Sequence, residues 1–275
     1  MSETTRLDVE LVRRGLARSR GHARELIEAG DVSVDGVAAT KASAPTSGGQ
    51  SLHVREKGPR WVSRAAYKLV EAIEVFEPRG LTVRGRRALD VGASTGGFTQ
   101  VLLHHGAAQV TALDVGHDQL AREVAQDPRV TERSGTTVRG LRPDDIGGRV
   151  ELLVADLSFI SLTLVLETFR GLVTDDADLV VLVKPQFEVG RTRLGKNGIV
   201  RAQGDRAWAV TEVARAALAA GLHPRGVVAS PVVGTEGNAE YLLWLTPRAS
   251  AAMGWEALVR AADEVTLATQ PKEVP

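Results

Sequence analysis

Apolar residues near the start of the chain recur first at helical and then at strand spacing. Two stretches show the apolar side of a short helix and end at a glycine, as helices often do: DVELVRRG (8–15) and SRGHARELIEAG (19–30). The next stretch alternates polar and apolar residues around Asp35 and Gly36, which favours a hairpin, and SLHV (51–54) predicts a further strand. This order of elements predicts a small α+β module.

From about residue 61 the pattern becomes one of alternating strands and helices. The predicted helices span residues 63–76, 97–106, 117–126, 161–172 and 204–220. The predicted strands span residues 87–91, 109–114, 136–139, 151–159, 178–185, 225–231 and 239–246. Such alternation predicts an α/β domain with a mostly parallel sheet, whose ligands bind beyond the C-terminal ends of its strands. We expect the module at residues 1–59, a linker at 60–63 and the α/β domain at 64–275.

The stretch LDVGASTGGFT (89–99) reads as a strand, a glycine-rich bend and the start of a helix. A phosphate-binding P-loop requires a lysine that this bend lacks, and the G-x-G-x-x-G dinucleotide fingerprint does not fit the spacing of Gly92 and Gly96. A bend without a ligand and a site for S-adenosylmethionine remain. For the latter, Asp90 would lie near the ammonium group and the glycines would let the backbone approach the methionine moiety.

A second acid favours the nucleoside cofactor. The apolar run QVTALD ends at Asp114, 22 residues after Gly92. In doubly wound folds a carboxylate at about this distance from the glycine loop binds ribose hydroxyls. Asp156 and Lys184 also end apolar strands, where a charge is costly without a purpose. The sequence therefore favours a methyltransferase with its site at these strand ends.

Composition excludes several other chemistries. The 275 residues include no cysteine, which rules out disulfides, thiolate metal sites and cysteine nucleophiles. The adjacent His104 and His105 lack partners at ligand spacing, so we expect no metal site. No apolar run approaches the roughly 18 residues of a membrane span, and the N-terminus lacks the apolar core of a signal peptide. We expect a cytoplasmic protein without a membrane partner.

The formal net charge is zero, but residues 6–24 contain six arginines and only two acids. A local basic patch on a neutral chain indicates a polyanionic partner, and a solvated helix face is the alternative.

Taken together, these stretches resemble the TlyA family of bacterial ribosomal RNA 2′-O-methyltransferases, historically called haemolysins. The resemblance is carried by LVRRGLARSR, RWVSRAAYKL, LDVGASTGGFT, ALDVG, DLSFISL, LVKPQFEVG and GNAEYLLWL, which follow one another along nearly the whole chain. It implies a Rossmann-like, S-adenosylmethionine-dependent domain of the FtsJ type and a small N-terminal RNA-binding domain. It also implies ribosomal RNA or assembled ribosomal subunits as partners, with cytidine ribose as the target, and a monomeric enzyme.

The resemblance assigns residues to roles. The FtsJ-type catalytic tetrad falls on Lys68, Asp156, Lys184 and Glu240. The implied cofactor-binding residues are Asp90, Gly92, Ala93, Ser94, Gly96, Gly97, Phe98, Asp114, Val115, Asp156 and Leu157. The implied RNA-binding residues are Arg6, Arg14, Arg18, Arg20, Lys41, Arg64, Arg191, Arg193 and Lys196.

The tetrad suits ribose methylation because a 2′-hydroxyl is a poor nucleophile whose proton must be removed or shared. A buried lysine beside a second cation can do this. We expect Lys184 to orient the hydroxyl and help to deprotonate it. Asp156 would hold Lys184 near the methyl donor, and Lys68 and Glu240 would form a supporting ion pair.

Three rival functions stay open. Methylation of an amino nitrogen usually brings two prolines at the end of the fourth strand, where this chain has Asp156, Leu157, Ser158 and Phe159. A pore-forming cytolysin would need a membrane-inserting element, which the sequence does not show. An RNA-binding assembly factor without catalysis would not need the intact cofactor loop and tetrad.

Overall fold

The structure, a computed structural model, describes residues 4–17, 19–54, 59–234 and 236–269, except the side chain of Lys196. Contacts between Cα atoms divide the chain into two compact units, Met1–Arg60 and Trp61–Pro275. Each unit has its own core and is described by itself below.

The first unit is a small α+β domain. Its elements are β1 (Thr4–Arg6), α1 (Leu7–Arg13), α2 (Arg20–Glu28), β2 (Val32–Val34), β3 (Val37–Ala38), β4 (Pro45–Ser47) and β5 (Leu52–Val54). The hairpin forms at the predicted residues, with both Asp35 and Gly36 at positive φ, and β5 joins it in the strand order β3–β2–β5. The sequence did not predict β1 and β4, which pair antiparallel. Three residues are too few for alternation to be recognised.

The second unit is an α/β domain. Its elements are α3 (Ala66–Phe76), β6 (Arg87–Val91), α4 (Gly97–His104), β7 (Gln109–Leu113), α5 (Arg122–Ala125), β8 (Val130–Arg133), β9 (Val150–Ala155), α6 (Leu166–Leu172), β10 (Val173–Val183), α7 (Pro185–Glu188), α8 (Gln203–Ala219), β11 (His223–Ala229), β12 (Tyr241–Thr246) and α9 (Trp255–Leu267). The strands form one seven-stranded sheet in the order β11–β12–β10–β9–β6–β7–β8.

The sheet is mostly parallel, as predicted. β12 runs antiparallel to both of its neighbours, β10 and β11, whereas the other neighbouring pairs are parallel. Apolar side chains pack on both faces, one around Phe169 and Val210, the other around Phe76 and Trp244. The strands therefore bury both faces, which explains their continuous apolar runs.

In this domain two predicted elements are wrong, and the helices α7 and α9 were missed. The helix predicted at 117–126 is reduced to α5, because Asp118 adopts φ 53°, which a right-handed helix does not allow. The strand predicted at 136–139 lies instead at Val130–Arg133. Helix α9 was not predicted, although Leu258 and Ala262 are buried at helical spacing.

Among the described residues, the helices are all too short or too polar to cross a membrane.

Candidate active site

The topology of the sheet brings four charged side chains to one edge. Asp156 directly follows β9 and Lys184 directly follows β10, and these strands are parallel neighbours, so both residues lie at the same edge. Glu240 precedes β12, and because β12 is antiparallel to β10, its beginning lies at that edge too, with Tyr241 opposite Val183. Lys68 reaches the edge from α3.

These four side chains form a continuous chain of ion pairs, hereafter the tetrad. Lys68 Nζ lies 2.7 Å from Glu240 Oε2 and 3.3 Å from Asp156 Oδ2. The other oxygen of Asp156, Oδ1, lies 2.7 Å from Lys184 Nζ. A carboxylate therefore stands between the two lysines, and each of its oxygens faces one of them.

The tetrad is secluded from water and balances two positive charges with two negative ones. The side chains of its members are between 2% and 15% exposed. Burial by itself would raise the pKa of Asp156, but the ammonium groups of Lys68 and Lys184 outweigh burial and hold that pKa below its usual value. Asp156 therefore stays ionised at neutral pH and can anchor both lysines.

Lys184 has a further partner that the sequence did not identify. Its Nζ donates a hydrogen bond of 2.8 Å to Ser158 Oγ, two residues after Asp156. The serine was visible in the DLSF stretch, but a hydroxyl in a loop carries no pattern that separates it from other surface serines.

Two cavities meet at the tetrad. The first, of about 430 Å³, lies over the ends of β6, β7 and β9, and we call it the cofactor cavity. The second, of about 260 Å³, contains all four tetrad residues, and we call it the catalytic cavity. Both are lined by Gly92, Ser94, Asp156 and Ser158. A group held in one cavity can therefore reach a group held in the other at these residues.

Gly92 joins the glycine bend to the tetrad. It adopts φ +84°, and a Cβ at this position would lie 2.5 Å from the backbone oxygen of Asp156. A side chain would therefore push the bend away from the strand end that carries Asp156. Gly97 is also crowded by this protein, since its Cβ would collide with Ser63 Oγ. These contacts give the glycines an internal packing reason that the sequence did not reveal.

Asp90 does not occupy the position expected from the sequence. Its side chain is fully buried behind the bend, lines neither cavity, and accepts a hydrogen bond of 2.6 Å from Thr99 Oγ1. Its second oxygen, Oδ1, is buried without a partner. Burial raises the pKa of Asp90 to about 7, although the hydroxyl of Thr99 opposes this effect. The geometry therefore does not place Asp90 in the direct contact with a cofactor ammonium group that the sequence predicted.

Asp114 lies where the sequence placed it, at the end of β7 in the wall of the cofactor cavity. Its two oxygens accept hydrogen bonds of 2.8 Å from the backbone N–H groups of Ser94 and Gly116. These bonds fix the carboxylate, and each oxygen keeps a lone pair for a further donor.

The remaining predicted cofactor residues divide between the two cavities and the core. Val115 is 69% exposed and lines the cofactor cavity together with Leu157. Ala93, Gly97 and Phe98 line the catalytic cavity, and Phe98 also packs in the core. Gly96 lines neither cavity. It packs against the side chains of Leu120 and Val124 instead, where an added Cβ would not fit.

The cofactor cavity fits a nucleoside with a cationic amino-acid tail. Its walls combine apolar side chains with the fixed carboxylate of Asp114, which suits ribose hydroxyls, and at the tetrad end it reaches the carboxylate of Asp156. Among the described residues that line the cofactor cavity there is no lysine or arginine that would select a phosphate.

An exposed aromatic ring stands at the rim of the cofactor cavity. Phe159 is 92% exposed, adopts φ 63°, and lies 5.5 Å from the ring of Phe187. An exposed ring held in an unfavourable backbone conformation beside a cleft suits stacking on a planar group. Apart from its place in the DLSF stretch, no sequence pattern marks this residue.

Four of the predicted RNA-binding residues lie in the described part of the α/β domain or of its loops. Arg64 is exposed and lines the catalytic cavity, and Arg191 is exposed on the loop after α7. Arg193 stacks 4.3 Å from the ring centre of Trp208 and lies 3.6 Å from Asp205. Lys196 belongs to the same loop, but its side chain lies outside the described residues.

In the N-terminal domain, Arg6, Arg20 and Lys41 are exposed or half-exposed. Arg14 differs, since its guanidinium donates to Glu10 and to the backbone oxygens of residues 47, 48 and 50. These bonds give Arg14 a structural function within the domain. Arg18 lies outside the described residues.

Comparison with known proteins places these features in a wider context. Residues 61–246 match the FtsJ-like methyltransferase family and residues 5–51 match the S4 domain. Over 266 residues the chain is 53% identical to the 16S/23S rRNA (cytidine-2′-O)-methyltransferase TlyA of Mycobacterium tuberculosis, covering 95% of this chain and 98% of that protein. It is 34% identical to Hemolysin A of Brachyspira hyodysenteriae, covering 86% and 98% of the two chains. A solved structure described as a hemolysin, from Streptococcus thermophilus, has 34% identity, a TM-score of 0.70 and 98% coverage of both chains.

Proposed function

Because this chain belongs to the TlyA family and contains an FtsJ-like methyltransferase domain, we propose that it transfers a methyl group from S-adenosylmethionine to the 2′-hydroxyl of a cytidine in ribosomal RNA. The observation that carries the proposal is the tetrad at the junction of the two cavities. A reacting ribose in the catalytic cavity would there meet a methyl donor held in the cofactor cavity.

The cofactor supplies a methyl group that its sulfonium centre already activates. Asp114 would accept hydrogen bonds from the ribose hydroxyls of the cofactor, and the apolar walls around Val115 and Leu157 would hold its base. Gly92 keeps the bend against the backbone of Asp156, so the end of the cofactor cavity stays next to the tetrad. Most of the acceleration comes from alignment of the oxygen, carbon and sulfur atoms, an orientation effect.

Lys184 acts on the 2′-hydroxyl. Besides its bond to carbon, Nζ has three positions for hydrogen atoms or a lone pair. Two of these positions face Asp156 Oδ1 and Ser158 Oγ. The third position is left for the substrate oxygen. The ammonium group of Lys184 first releases one proton to water. Its two remaining N–H groups then donate to Asp156 and Ser158, and its lone pair accepts the hydroxyl proton.

The step balances on this assignment. The 2′-oxygen forms a bond to the methyl carbon, the carbon–sulfur bond breaks, and its electron pair neutralises the sulfonium. The hydroxyl proton ends on Lys184, whose new positive charge faces Asp156. Lys68 and Glu240 hold the other oxygen of Asp156 in place, so that Oδ1 stays directed at Lys184.

The N-terminal domain binds the RNA through its basic residues, among them Arg6, Arg20 and Lys41. In the methyltransferase domain, Arg64 at the mouth of the catalytic cavity and the loop with Arg191 and Arg193 offer further positive charge to the RNA. The substrate is ribosomal RNA, free or in an assembled subunit, and the enzyme works as a monomer in the cytoplasm. We assign residues 1–59 to the RNA-binding domain, 60–63 to the linker and 64–275 to the methyltransferase domain.

The proposal is tested by single-turnover methylation with labelled S-adenosylmethionine and ribosomal RNA from a strain that lacks the enzyme. Nuclease digestion followed by mass spectrometry should identify 2′-O-methylcytidine. A methylated base in place of a methylated ribose would refute the assigned reaction.

Two variants of Lys184 test its function. Lys184→Ala should lower the single-turnover rate by about two to four orders of magnitude, as is usual for acid–base groups, while cofactor and RNA affinities stay within a few fold. Lys184→Arg keeps a positive charge but cannot accept a proton, so it should be similarly slow. An arginine variant near the parent rate would show that the site only positions its substrates.

A further inference from the structure

The N-terminal domain buries two carboxylates on one short helix. Asp8 and Glu10 belong to α1 and are 0% and 2% exposed. Acidic side chains are almost never buried to this extent without partners, because a buried charge is costly unless cations or hydrogen bonds compensate for it. Here the partners are arginines, and each carboxylate has its own group of them.

Asp8 is contacted by three arginines. Arg6 donates to both of its oxygens, at 3.0 and 3.2 Å, Arg20 reaches it at 3.2 Å and Arg24 at 3.5 Å. We call these three residues the arginine array. Their side chains remain 45%, 54% and 53% exposed, although the carboxylate beneath them is fully buried. Since each guanidinium has five N–H donors, each keeps donors for a second anion at the surface.

The array has an excess of positive charge that does not titrate near neutral pH. Three guanidinium groups face one carboxylate. The hydrogen bonds from Arg6, followed by those from Arg20, lower the pKa of Asp8 to about 2 despite burial. Asp8 is therefore an anion at every physiological pH, and its attraction to the three guanidinium groups persists over that range.

Glu10 organises a different pair. Arg13 and Arg14 both donate to it at 2.6 Å, and the hydrogen bonds from Arg13 contribute most to lowering its pKa to about 2. Arg14 also donates to the backbone oxygens of residues 47, 48 and 50. Through Arg14, this carboxylate therefore links α1 to the end of β4 and to the loop after it. Arg13 is also exposed, whereas the group around Asp8 brings three exposed guanidiniums onto one buried carboxylate.

We propose that Asp8 is a positioning residue for ribosomal RNA, which holds the arginine array in its binding arrangement before the RNA arrives. A free arginine loses rotamer freedom when it binds a phosphate, and this loss weakens binding. Three guanidiniums fixed on a common carboxylate have already lost that freedom during folding. The proposal rests on the RNA-binding function of this domain and adds a residue that does not itself contact the RNA.

Asp8→Asn separates this proposal from simple electrostatics, because the two predict opposite results. The variant removes one negative charge, so a count of charges predicts tighter binding of RNA. Release of three arginines predicts binding about tenfold weaker, because each side chain regains rotamer freedom that RNA binding must then remove. The affinity of the full-length protein for purified 23S ribosomal RNA should be measured over a series of salt concentrations.

The salt dependence distinguishes a positioning residue from a contact. Asp8→Asn keeps all three arginines, so the number of counterions released and the slope of log K against log salt should be unchanged. Arg20→Ala removes a phosphate contact and should lower the slope by about one unit. A lower slope for Asp8→Asn would contradict the proposal.

Glu28→Gln is the matched control. Glu28 is exposed at the end of α2 and forms no ion pair with another described residue, yet its substitution changes the net charge by the same amount. The control should bind RNA as tightly as the parent or slightly more tightly. Asp8→Asn binding as tightly as Glu28→Gln would overturn the proposal.

A measurement on the unaltered protein covers the case in which Asp8→Asn unfolds the domain. Side-chain NMR should find the Nε–H groups of Arg6 and Arg20 more ordered, without RNA, than that of Arg139, which is exposed and donates no side-chain hydrogen bond to another described residue. Equal mobility would refute preorganisation. If the parent protein itself bound RNA without salt dependence, the proposed RNA-binding function would fail together with this inference.

Discussion

The buried carboxyl of Asp90 should make the stability of the methyltransferase domain depend on pH. Burial raises its folded-state pKa from 3.8 to about 7, so the folded protein keeps a proton that the unfolded chain has already released over this interval. The contribution of Asp90 to stability is therefore complete below about pH 4 and is lost as the pH rises through 7. Asp90→Asn removes the titration while preserving the shape of the side chain.

The size of the effect follows from linkage. A shift of one pKa unit corresponds to about 1.4 kcal/mol, so the full difference is on the order of 4 kcal/mol. Between pH 5 and pH 8 the parent should lose about 2 to 3 kcal/mol relative to Asp90→Asn. The asparagine will have its own constant cost, because its NH₂ group enters the place where Oδ1 has no partner, so the slope is the informative quantity.

The difference in unfolding free energy between the two proteins can be measured by denaturant unfolding without cofactor at several pH values. The fluorescence of the buried tryptophans of this domain reports the transition. Thr99→Val is the control, because loss of the hydroxyl that favours the ionised form should extend the decline to higher pH. Parallel stability curves for the parent and Asp90→Asn would show that Asp90 has an ordinary pKa and would refute the reasoning.

Three further substitutions have distinct expected outcomes. Asp114→Asn should weaken S-adenosylmethionine binding by about 1.5–3 kcal/mol, since hydrogen bonds to a charged group are lost; unchanged affinity by calorimetry would contradict its assignment. Gly92→Ala should lower the melting temperature through a loss of about 1–3 kcal/mol, whereas Gly171→Ala, in open space on α6, should be neutral or stabilising, and equal effects would exclude crowding by Asp156. Arg206→Met should cost about 2–4 kcal/mol of unfolding free energy, because this buried arginine donates to the carbonyls of Thr266 and Thr269 at the end of α9; a smaller loss, measured by denaturant unfolding, would show that water replaces it.

The sequence predicted the parts of the fold that periodicity and strand ends encode. The alternation of apolar strands and amphipathic helices gave the α/β class, and the mostly parallel sheet confirms it. Asp114, Asp156 and Lys184 could be placed at one edge because each directly follows an apolar run. Lys68 and Glu240 could not be located this way, and the motif resemblance alone connected them with the site.

The remaining features depend on contacts between distant segments. Ser158 was missed because its bond to Lys184 joins two loops, and no local spacing encodes such a contact. Asp90 has the sequence position of a ligand-binding acid. Its side chain is instead fully buried and accepts a hydrogen bond from Thr99. The arginines around residue 14 looked alike in sequence, whereas their partners distinguish the internal Arg14 from the exposed Arg20.

The late position of β12 in the chain determines when the tetrad can be complete during synthesis. Everything that forms the cofactor cavity, from Val91 to Ile160, precedes β10 along the chain. Glu240 arrives some eighty residues after Asp156, and it reaches Lys68 only once β12 has inserted between β10 and β11. A growing chain could thus acquire its nucleoside site well before its ion-pair chain is complete.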